Sequence, residues 1–515
     1  MPFSERKPFP ILRLAGLTLA ALAIHGYYFG VEDAEIYVPA AKKLANPALY
    51  PFSPEFFLDH EHLSIFGSVV AATSHFTHLP IDWSIFLWYV VCLFGMIASC
   101  WLIASGCFTS SRARWSAVGI VTAVLAMPAA NTALLLNDPY LTARSFSTPL
   151  TLIALGGLLQ RRYALAGVTA LITGLFHPQM VAYLMVLAVV ILVTEQSKAR
   201  AKHPVPALAS AIAVLPTGFD FKPATGAYRE VLYSRDYYFL YNWQWYHWLG
   251  MLAPLAILAW FWRGRLRGTT DSFSLLSFVM IPFGILSIVA AIVISSSPIF
   301  DNFIRLQPLR TFHLITIVFV ILLAGVFGEF AGIRRDGRSR TWAIPALAGS
   351  LAIGMFFVGR ATYPHSQQIE LPAATSPNAW VNTLLWIRQN TPEDAVFAVD
   401  SHYLRDDLTD SHGFRAVSER SALADYYKDS GAASLFPTLA DEWKQMSTAT
   451  TGLNHFTQAD FQRLNTEYPA VTWTVVHGPA LTGLNCPYQQ QGYAVCRIPS
   501  ATSPSTTLSA TTLSF

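Results

Sequence analysis

The sequence has little charge and little cysteine. Asp, Glu, Lys and Arg make up only 13% of its 515 residues, whereas soluble proteins carry about 25%, so a water-soluble multidomain enzyme is excluded. Five cysteines in a chain of this length do not make a small disulfide scaffold. The net charge of +3 is close to neutral, and we therefore expect no nucleic-acid partner.

The short motifs of familiar catalytic sites are also missing. The sequence contains no Walker loop, no Gly-x-Gly-x-x-Gly, no Cys-x-x-Cys and no His-Glu-x-x-His, so ATP-driven transport has no support. His402 and His412 lie near Asp406, Asp407 and Asp410. Their spacing matches no compact metal site and indicates a polar loop.

Long apolar runs are the main feature that is present. Hydrophobic residues make up 53% of the chain, and a helix needs about 20 mostly apolar residues to cross a bilayer. We predict about eleven transmembrane helices. The apolar stretch 62–80 carries three histidines and polar breaks, which favour a helix along the membrane interface. The predicted spans are 9–29, 83–108, 115–130, 146–159, 163–176, 178–194, 205–216, 243–262, 273–296, 306–331 and 342–359.

The distribution of Lys and Arg predicts the orientation. With a cytoplasmic N-terminus, the inner connections hold roughly twice as many basic residues as the outer ones, as the positive-inside rule requires. The prediction is a transmembrane domain over 1–359 with a long first outer loop at 30–82. An extracytoplasmic domain follows over 360–498, and the Ser/Thr-rich tail 499–515 is predicted to be disordered. The first span has an alternative interpretation as a cleaved signal peptide, which leaves the later spans unchanged.

The C-terminal domain shows strands alternating with helices, a pattern typical of an α/β domain. Cys486 and Cys496 flank a loop before its last strand, where either a disulfide or two free buried thiols would fit. The predicted helices are 380–387, 431–446 and 457–467, and the predicted strands are 395–399, 414–417, 471–476 and 493–498.

Three carboxylates follow the first span directly: Glu32, Asp33 and Glu35. Carboxylates clustered at a low-dielectric boundary repel one another, so we expect them to bind a cation, to have shifted pKa values or to act as a base. The alternative is a solvated loop that happens to be acidic.

Polar residues at later connections are candidates for substrate binding. Asp138 and Arg144 either form a simple salt bridge or present a cation to a phosphate, and His177 is either a helix-end residue or a ligand. Arg305 and Arg310 lead into the tenth span. Their planar guanidinium groups suit phosphate recognition, and snorkelling to lipid headgroups is the alternative.

Aromatic residues crowd the segment 237–248 beside the predicted outer face. An interfacial aromatic belt explains this composition. The alternative is a platform for sugar rings or a prenyl chain.

The layout as a whole resembles a known class of membrane enzyme. An acidic motif follows the first span, a long first outer loop carries an interfacial helix, about a dozen spans follow, and the C-terminal domain is extracytoplasmic. This arrangement resembles the GT-C class of membrane glycosyltransferases, and within it a bacterial branch with the pattern Trp-x5-Trp-Ile-Arg-x-Asn-Thr-Pro. Here that pattern is Trp380, Trp386, Ile387, Arg388, Asn390, Thr391 and Pro392, followed by Phe414-Arg415 and Ser418-Glu419-Arg420.

The resemblance implies a fold, a reaction and a location. It implies a GT-C-like α-helical polytopic membrane protein in a bacterial inner membrane, which moves a sugar from a polyprenyl-phosphate-type carrier to an acceptor at the outer face. Asp33 would be the catalytic carboxylate with Glu35 and Glu32 beside it, and Arg305 or Arg310 would hold the carrier phosphate. If a divalent cation such as Mg or Mn takes part, Asp33 and Glu35 would bind it.

Two other functions remain open at this stage. A transporter or flippase for a lipid or hydrophobic solute predicts inverted repeats and polar residues at mid-membrane. A non-enzymatic membrane scaffold predicts that the carboxylates of residues 32–35 point to solvent, away from Arg144, Arg305 and Arg310.

Overall fold

The computed structural model describes residues 9–199, 220–264, 266–332, 340–480 and 482–498, except for the side chains of 196–199. The described chain is mostly helical, with a small sheet near its C-terminus. A helix overlaps each predicted apolar stretch in the described residues, and the stretch 205–216 lies outside them.

The first fourteen described helices form the bundle and its connections. The predicted interfacial helix is α4, and short 3-10 helices lie at Asp236–Tyr238, Leu240–Asn242, Pro298–Leu306 and Pro308–Arg310. The helices are α1 (Ile11–His25), α2 (Ala34–Ala45), α3 (Glu55–Glu61), α4 (Phe66–Thr77), α5 (Ile81–Cys107), α6 (Ser111–Ala123), α7 (Ala143–Leu159), α8 (Tyr163–Phe176), α9 (Pro178–Ala199), α10 (Gly226–Tyr233), α11 (Trp245–Gly264), α12 (Asp271–Ser295), α13 (Thr311–Ala331) and α14 (Ala343–Thr362).

Among the described residues, five helical segments are long and apolar enough to cross a membrane. The helices α1 and α8 are apolar but have only 15 and 14 residues. At about 1.5 Å per residue they fall short of the roughly 30 Å of a bilayer core. A multi-pass membrane protein is thus consistent with the fold, and the number eleven stays a prediction. The five segments are Ile81–Cys107, Pro178–Glu195, Asp271–Ser295, Pro298–Ala331 and Ala343–Thr362.

Helix α13 is the central helix of the bundle. Its span segment is 72% buried, whereas the span segment of α14 has no buried residue. Close packing against α6 depends on Gly328, where an added Cβ would lie only 2.6 Å from the Cβ of Ser116. The Ser116 hydroxyl donates to the Ala324 carbonyl oxygen at 2.7 Å. A small residue at this crossing therefore lets the two helix backbones come together.

The C-terminal domain contains a five-stranded sheet in the order β2-β1-β3-β5-β4. Strand β1 pairs in parallel with β2 on one side and with β3 on the other. Strand β5 pairs antiparallel with β3 and with β4. Cys486 of β4 and Cys496 of β5 form a disulfide. The strands are β1 (Val396–Ala398), β2 (Ser421–Ala422), β3 (Val471–His477), β4 (Asn485–Gln490) and β5 (Tyr493–Arg497), and the helices are α15 (Ala379–Asn390), α16 (Phe414–Ser418), α17 (Asp429–Leu435), α18 (Ala440–Ala449) and α19 (Gln458–Glu467).

The prediction of a strand over 414–417 is wrong, because this segment is the helix α16. A short apolar run fits a buried strand and a buried helix equally well by periodicity. The deciding contact comes from the first loop. The Glu35 carboxylate accepts hydrogen bonds from the N–H groups of Arg415 and Ala416, each at 2.9 Å. A carboxylate placed there satisfies unpaired N–H groups of the first helical turn and stabilises the helix.

The C-terminal domain is joined to the segment that follows α1. Tyr27 pairs with Ile369 in a parallel bridge, and Val31 pairs with His412 in an antiparallel one. The Gly413 N–H donates to the Gly30 carbonyl oxygen at 2.8 Å. The acidic segment 32–35 therefore lies between the helical bundle and this domain, at what we call the domain-bearing end of the bundle.

Candidate functional site

The acidic segment begins with an unusual backbone conformation. Glu32 has a φ of 52°, in the left-handed region that non-glycine residues rarely adopt. Its N–H donates to the Ser411 carbonyl oxygen at 3.0 Å, so the C-terminal domain holds the turn in place. Such strain tends to occur at functional sites. The turn separates the carboxylates that follow it into two different environments.

Asp33 lies between two cations that come from distant parts of the chain. Its Oδ2 accepts from Arg144 at 2.7 Å, and its Oδ1 accepts from Lys428 at 2.9 Å. The other contact of the Arg144 terminal nitrogen is Asp138 Oδ2, at 3.0 Å. The Asp33 side chain keeps 32% of its surface exposed, so a ligand can still reach it.

Glu32 shares the second of these cations. Its Oε2 lies 2.5 Å from the Lys428 ammonium nitrogen, and its Oε1 accepts from Arg405 at 3.2 Å. Glu32 and Asp33 are thus joined through Lys428, and three basic residues surround the two carboxylates. Asp138 pairs with Arg144, which was one of the two alternatives for these residues, and Asp33 is the additional partner of the arginine.

Glu35 lies in a separate, fully buried cluster, which corrects the expectation that it sits beside Asp33. Its Oε1 accepts from the Arg415 Nε at 3.0 Å and from the Tyr403 hydroxyl at 3.4 Å. The Arg415 guanidinium also contacts Asp425 and Asp429, at 3.3 and 2.7 Å. The reason is the helical geometry of α2, which turns Glu35 toward α16 while Asp33 precedes the helix.

The surroundings shift the pKa values of these acids in opposite directions. Desolvation raises the pKa of Asp33, but Lys428 and Arg144 outweigh it and hold the pKa well below its ordinary value. Desolvation of Glu32 is likewise outweighed by Lys428 and Arg405, so its pKa is lowered. Burial raises the pKa of Glu35 despite Arg415. Asp33 and Glu32 are therefore the firmly ionised members of the segment.

Two histidines lie within electrostatic range of Arg144 and Arg310, and one of them, His60, is also within range of Asp33. We call these five residues the polar cluster. Burial lowers the pKa of His60 to about 4, with Arg144 and Arg310 lowering it further and Asp33 opposing them. Burial lowers the pKa of His177 to about 3, again helped by Arg144 and Arg310. Both rings are therefore neutral near pH 7, and substrate binding by His177 and Arg310 stays a prediction.

Arg310 differs from Arg305 in its surroundings. Its guanidinium lies 5.9 Å from the centre of the Tyr237 ring, and within the described residues it forms no ion pair with a carboxylate. Its buried Nε has no hydrogen-bond partner there either. Arg305 acts electrostatically on Tyr228, whereas Arg310 acts on both histidines. Of the two predicted arginines, Arg310 is therefore the one that belongs to the polar cluster.

A cleft next to Arg310 is too small for a sugar. Tyr237, Tyr238, Gln307 and Thr132 are among its lining residues, and its volume is about 20 Å³, room for about one water molecule. A larger ligand must therefore displace side chains or enter from the lipid side.

A resident divalent cation does not fit the predicted pair Asp33 and Glu35. Both oxygens of Asp33 face cationic groups, and both oxygens of Glu35 accept hydrogen bonds from the C-terminal domain. Among the described residues no three His, Cys, Asp or Glu side chains come together as a metal site would require.

Comparison with known proteins gives no assignment. No family model matches the chain, and no curated protein matches it. What the site can do is therefore inferred from the chemistry of its own residues.

Arg388 of the Trp-containing pattern joins the C-terminal domain to the first loop, and Trp380 of the same pattern packs within the domain. Arg388 contacts Asp82 at 2.9 Å and Glu419 at 2.7 Å. Lys42, which is 1% exposed, contacts the same two carboxylates at 3.0 and 2.9 Å. The Trp380 indole N–H donates to the His412 carbonyl oxygen at 2.9 Å. The pattern therefore has a docking role that the sequence alone does not reveal.

Three residues of the site were missed by the sequence analysis: His60, Arg405 and Lys428. His60 follows acidic residues of the first loop, and its position beside Glu61 was a weak local signal. Lys428 gave no signal, because it lies 395 residues from its partner Asp33. Only the docking of the C-terminal domain brings it to the acidic segment.

Proposed function

We propose that the protein is an integral membrane glycosyltransferase that takes a sugar from a polyprenyl-phosphate-type carrier and transfers it to an acceptor hydroxyl at the domain-bearing end. One observation supports this proposal most directly. An ionised, partly exposed carboxylate, Asp33, belongs to the same polar cluster as Arg310, which forms no ion pair with a carboxylate among the described residues. Glycosyl transfer from a lipid phosphate needs both a proton acceptor and a cation for the departing phosphate.

In this proposal Arg310 binds the carrier phosphate. Its planar guanidinium can donate two parallel hydrogen bonds to phosphate oxygens. His60 and His177 are neutral near pH 7, so each can donate one N–H without adding a charge that Arg144 and Arg310 would repel. As negative charge develops on the leaving phosphate, these donors stabilise it without rearranging.

Asp33 accepts the proton of the acceptor hydroxyl. Its low pKa makes it a weak base while Arg144 and Lys428 are both bound to it, and proton transfer is most efficient when the pKa is near the operating pH. A donor phosphate that draws Arg144 toward itself would weaken one of these ion pairs and raise the pKa of Asp33. Binding of the donor would thus prepare the base.

The position of the site suits a lipid-linked donor. Asp33 follows α1, His177 lies between α8 and α9, and Arg310 directly precedes α13. These helix ends lie at the rim of the apolar bundle, a position that would suit a carrier phosphate with its chain in the membrane. The disulfide of Cys486 and Cys496 supports an oxidising compartment for this end, as expected of a periplasmic C-terminal domain on a bacterial inner membrane.

The two alternative functions receive less support. A scaffold would leave residues 32–35 facing solvent, whereas Asp33 contacts Arg144 at 2.7 Å and Glu35 is 1% exposed. A transporter predicts polar residues at mid-membrane, whereas Asp33, His177 and Arg310 lie at the ends of helices.

The test measures sugar transfer by the full-length protein in lipid nanodiscs. The donors are a panel of polyprenyl-phosphate-linked hexoses, and the product detected is the released polyprenyl phosphate. We expect Asp33→Asn to lower the rate by roughly 10²–10⁴-fold, the range for loss of a positioned base. The matched control is Asp407→Asn, an exposed aspartate of the C-terminal domain, which should leave the rate unchanged.

A second variant tests the donor subsite. Arg310→Ala should weaken binding of polyprenyl phosphate, measured by native mass spectrometry, whereas the exposed Arg229→Ala should not. Transfer that is insensitive to Asp33→Asn, or carrier binding that is insensitive to Arg310→Ala, would remove the assignment.

A further inference from the structure

The ammonium group of Lys428 occupies the space between two first-loop carboxylates. It lies 2.5 Å from Glu32 Oε2 and 2.9 Å from Asp33 Oδ1. The two remaining oxygens are taken as well, Glu32 Oε1 by Arg405 at 3.2 Å and Asp33 Oδ2 by Arg144 at 2.7 Å. All four carboxylate oxygens therefore face a basic nitrogen of the protein itself.

A divalent cation would bind an acidic pair of this kind through the same oxygens. Mg²⁺ and Mn²⁺ take carboxylate oxygens together with water and substrate phosphates. Here the ammonium of Lys428 bridges the two carboxylates, and its positive charge would repel a metal ion at that point. Glu35 offers no third ligand, because Arg415 and backbone N–H groups occupy its oxygens.

The C-terminal domain delivers Lys428 in a fixed position. The Asp425 Oδ1 accepts from the N–H groups of Tyr427 and Lys428, at 2.7 and 2.6 Å. The carboxylate of Asp425 is in turn held by Arg415, the partner of Glu35. Arg415, which docks the domain on the first loop through Glu35, thus also holds Asp425, and Asp425 fixes the backbone at Lys428.

We propose that Lys428 takes the place of a divalent cation in the acidic site: it is a positioning residue that holds Glu32 and Asp33 together and makes the pair independent of metal. A role of Lys428 in catalysis rests on the proposed glycosyltransferase function. The claim about cation binding stands or falls separately, because it concerns only which cation neutralises the two carboxylates.

The first experiment measures Tb³⁺ binding to the full-length protein in nanodiscs by luminescence sensitised through nearby tyrosines such as Tyr427. Lys428→Met removes the charge and keeps most of the aliphatic stem. It should bind Tb³⁺ roughly tenfold or more tightly than the wild type, because one unit of positive charge has left the site. Adding Asp33→Asn should abolish the gain, and Mn²⁺ should compete for the new site.

The matched control is Lys444→Met, which removes a lysine from a surface pair with Glu230 and should leave Tb³⁺ binding at the wild-type level. The proposal is overturned if Lys428→Met binds Tb³⁺ no more tightly than the wild type. It is also overturned if the wild type itself has a site that Asp33→Asn removes. Neither result depends on sugar transfer, so this failure is distinguishable from failure of the proposed function.

A second measurement needs no variant and therefore does not depend on its folding. A zero-length carbodiimide couples a lysine to a carboxylate in contact with it, and mass spectrometry identifies the joined peptides. We expect Lys428 to be coupled to Glu32 or Asp33 in the wild type. The pair Lys444 and Glu230, whose charged atoms are 2.5 Å apart, is the positive control. Coupling of the control pair without coupling of Lys428 would overturn the proposal.

Discussion

Removing the Glu35 carboxylate should undock the C-terminal domain from the first loop. Glu35 is 1% exposed and accepts from the Arg415 side chain and from two N–H groups at the start of α16. Glu35→Ala leaves these donors buried without an acceptor, at about 1–3 kcal/mol for each group. Breaking a buried ion pair on one side costs about 3–5 kcal/mol in total, and we expect a loss in this range.

The assay must report on the contact between the C-terminal domain and the first loop, because a multidomain protein does not unfold in one step. Hydrogen exchange of the α16 amides in nanodiscs measures local opening directly. At about 1.4 kcal/mol per factor of ten, the loss corresponds to roughly a hundredfold or greater increase in opening. Glu230→Ala removes an exposed acid that pairs with Lys444 and should cost less than about 1 kcal/mol.

The comparison with Glu35→Gln separates a structural role from a catalytic one. Glutamine keeps one oxygen as an acceptor but presents an amide group to an N–H donor, so protection of α16 should fall between the wild type and Glu35→Ala. A Glu35→Ala variant with the same α16 exchange as Glu230→Ala would refute the reasoning. The contact of Glu35 with α16 would then not contribute to docking of the domain.

Two further predictions concern pH and helix packing. Burial opposes the charged form of His412, but Glu370 and Asp410 raise its pKa above the ordinary value. The stabilising contribution of protonated His412 should therefore be complete below about pH 6.5 and be lost as the pH rises through the raised pKa of His412. The measurement is thermal stability as a function of pH for the wild type and for His412→Gln. A wild-type stability that falls no more steeply over this pH window than that of His412→Gln would contradict the prediction. In the bundle, Gly328→Val should destabilise the contact of α6 with α13 by about 1–3 kcal/mol, because its Cβ would meet Ser116 at 2.6 Å. The matched control is Gly349→Val, because a Cβ added at Gly349 meets no neighbouring atom within 4 Å. Both variants are compared with the wild type in a detergent melting assay, and equal losses of stability would argue against the packing account.

Patterns that extend over many neighbouring residues were read correctly from the sequence. Each apolar stretch in the described residues overlaps a helix, the strand near 395–399 and the last two predicted strands are present, and 62–80 contains a separate helix. Each of these depends on local hydrophobic periodicity. The segment 414–417 was misread because its conformation depends on Glu35, almost 380 residues earlier in the sequence.

The candidate site was predictable only in part, for the same reason. Asp33, Arg144, His177 and Arg310 stand out locally as polar residues at the ends of apolar runs, and all four belong to the polar cluster of the structure. Glu35 has the same local signal as Asp33 but points into a different cluster. The turn at Glu32, with its φ of 52°, and the start of α2 separate the two carboxylates.

Composition and periodicity by themselves determined that this chain is mostly helical, with several helices long and apolar enough to cross a membrane and a small sheet near its C-terminus, because burial of apolar surface is set by runs of neighbouring residues. Tertiary structure alone decided which charges meet. An ion pair costs desolvation wherever it forms, and it becomes favourable only where folding places opposite charges within a few ångströms of each other. Lys428 is the clearest case, because folding brings its ammonium group into ion pairs with Glu32 and Asp33, far away in the sequence.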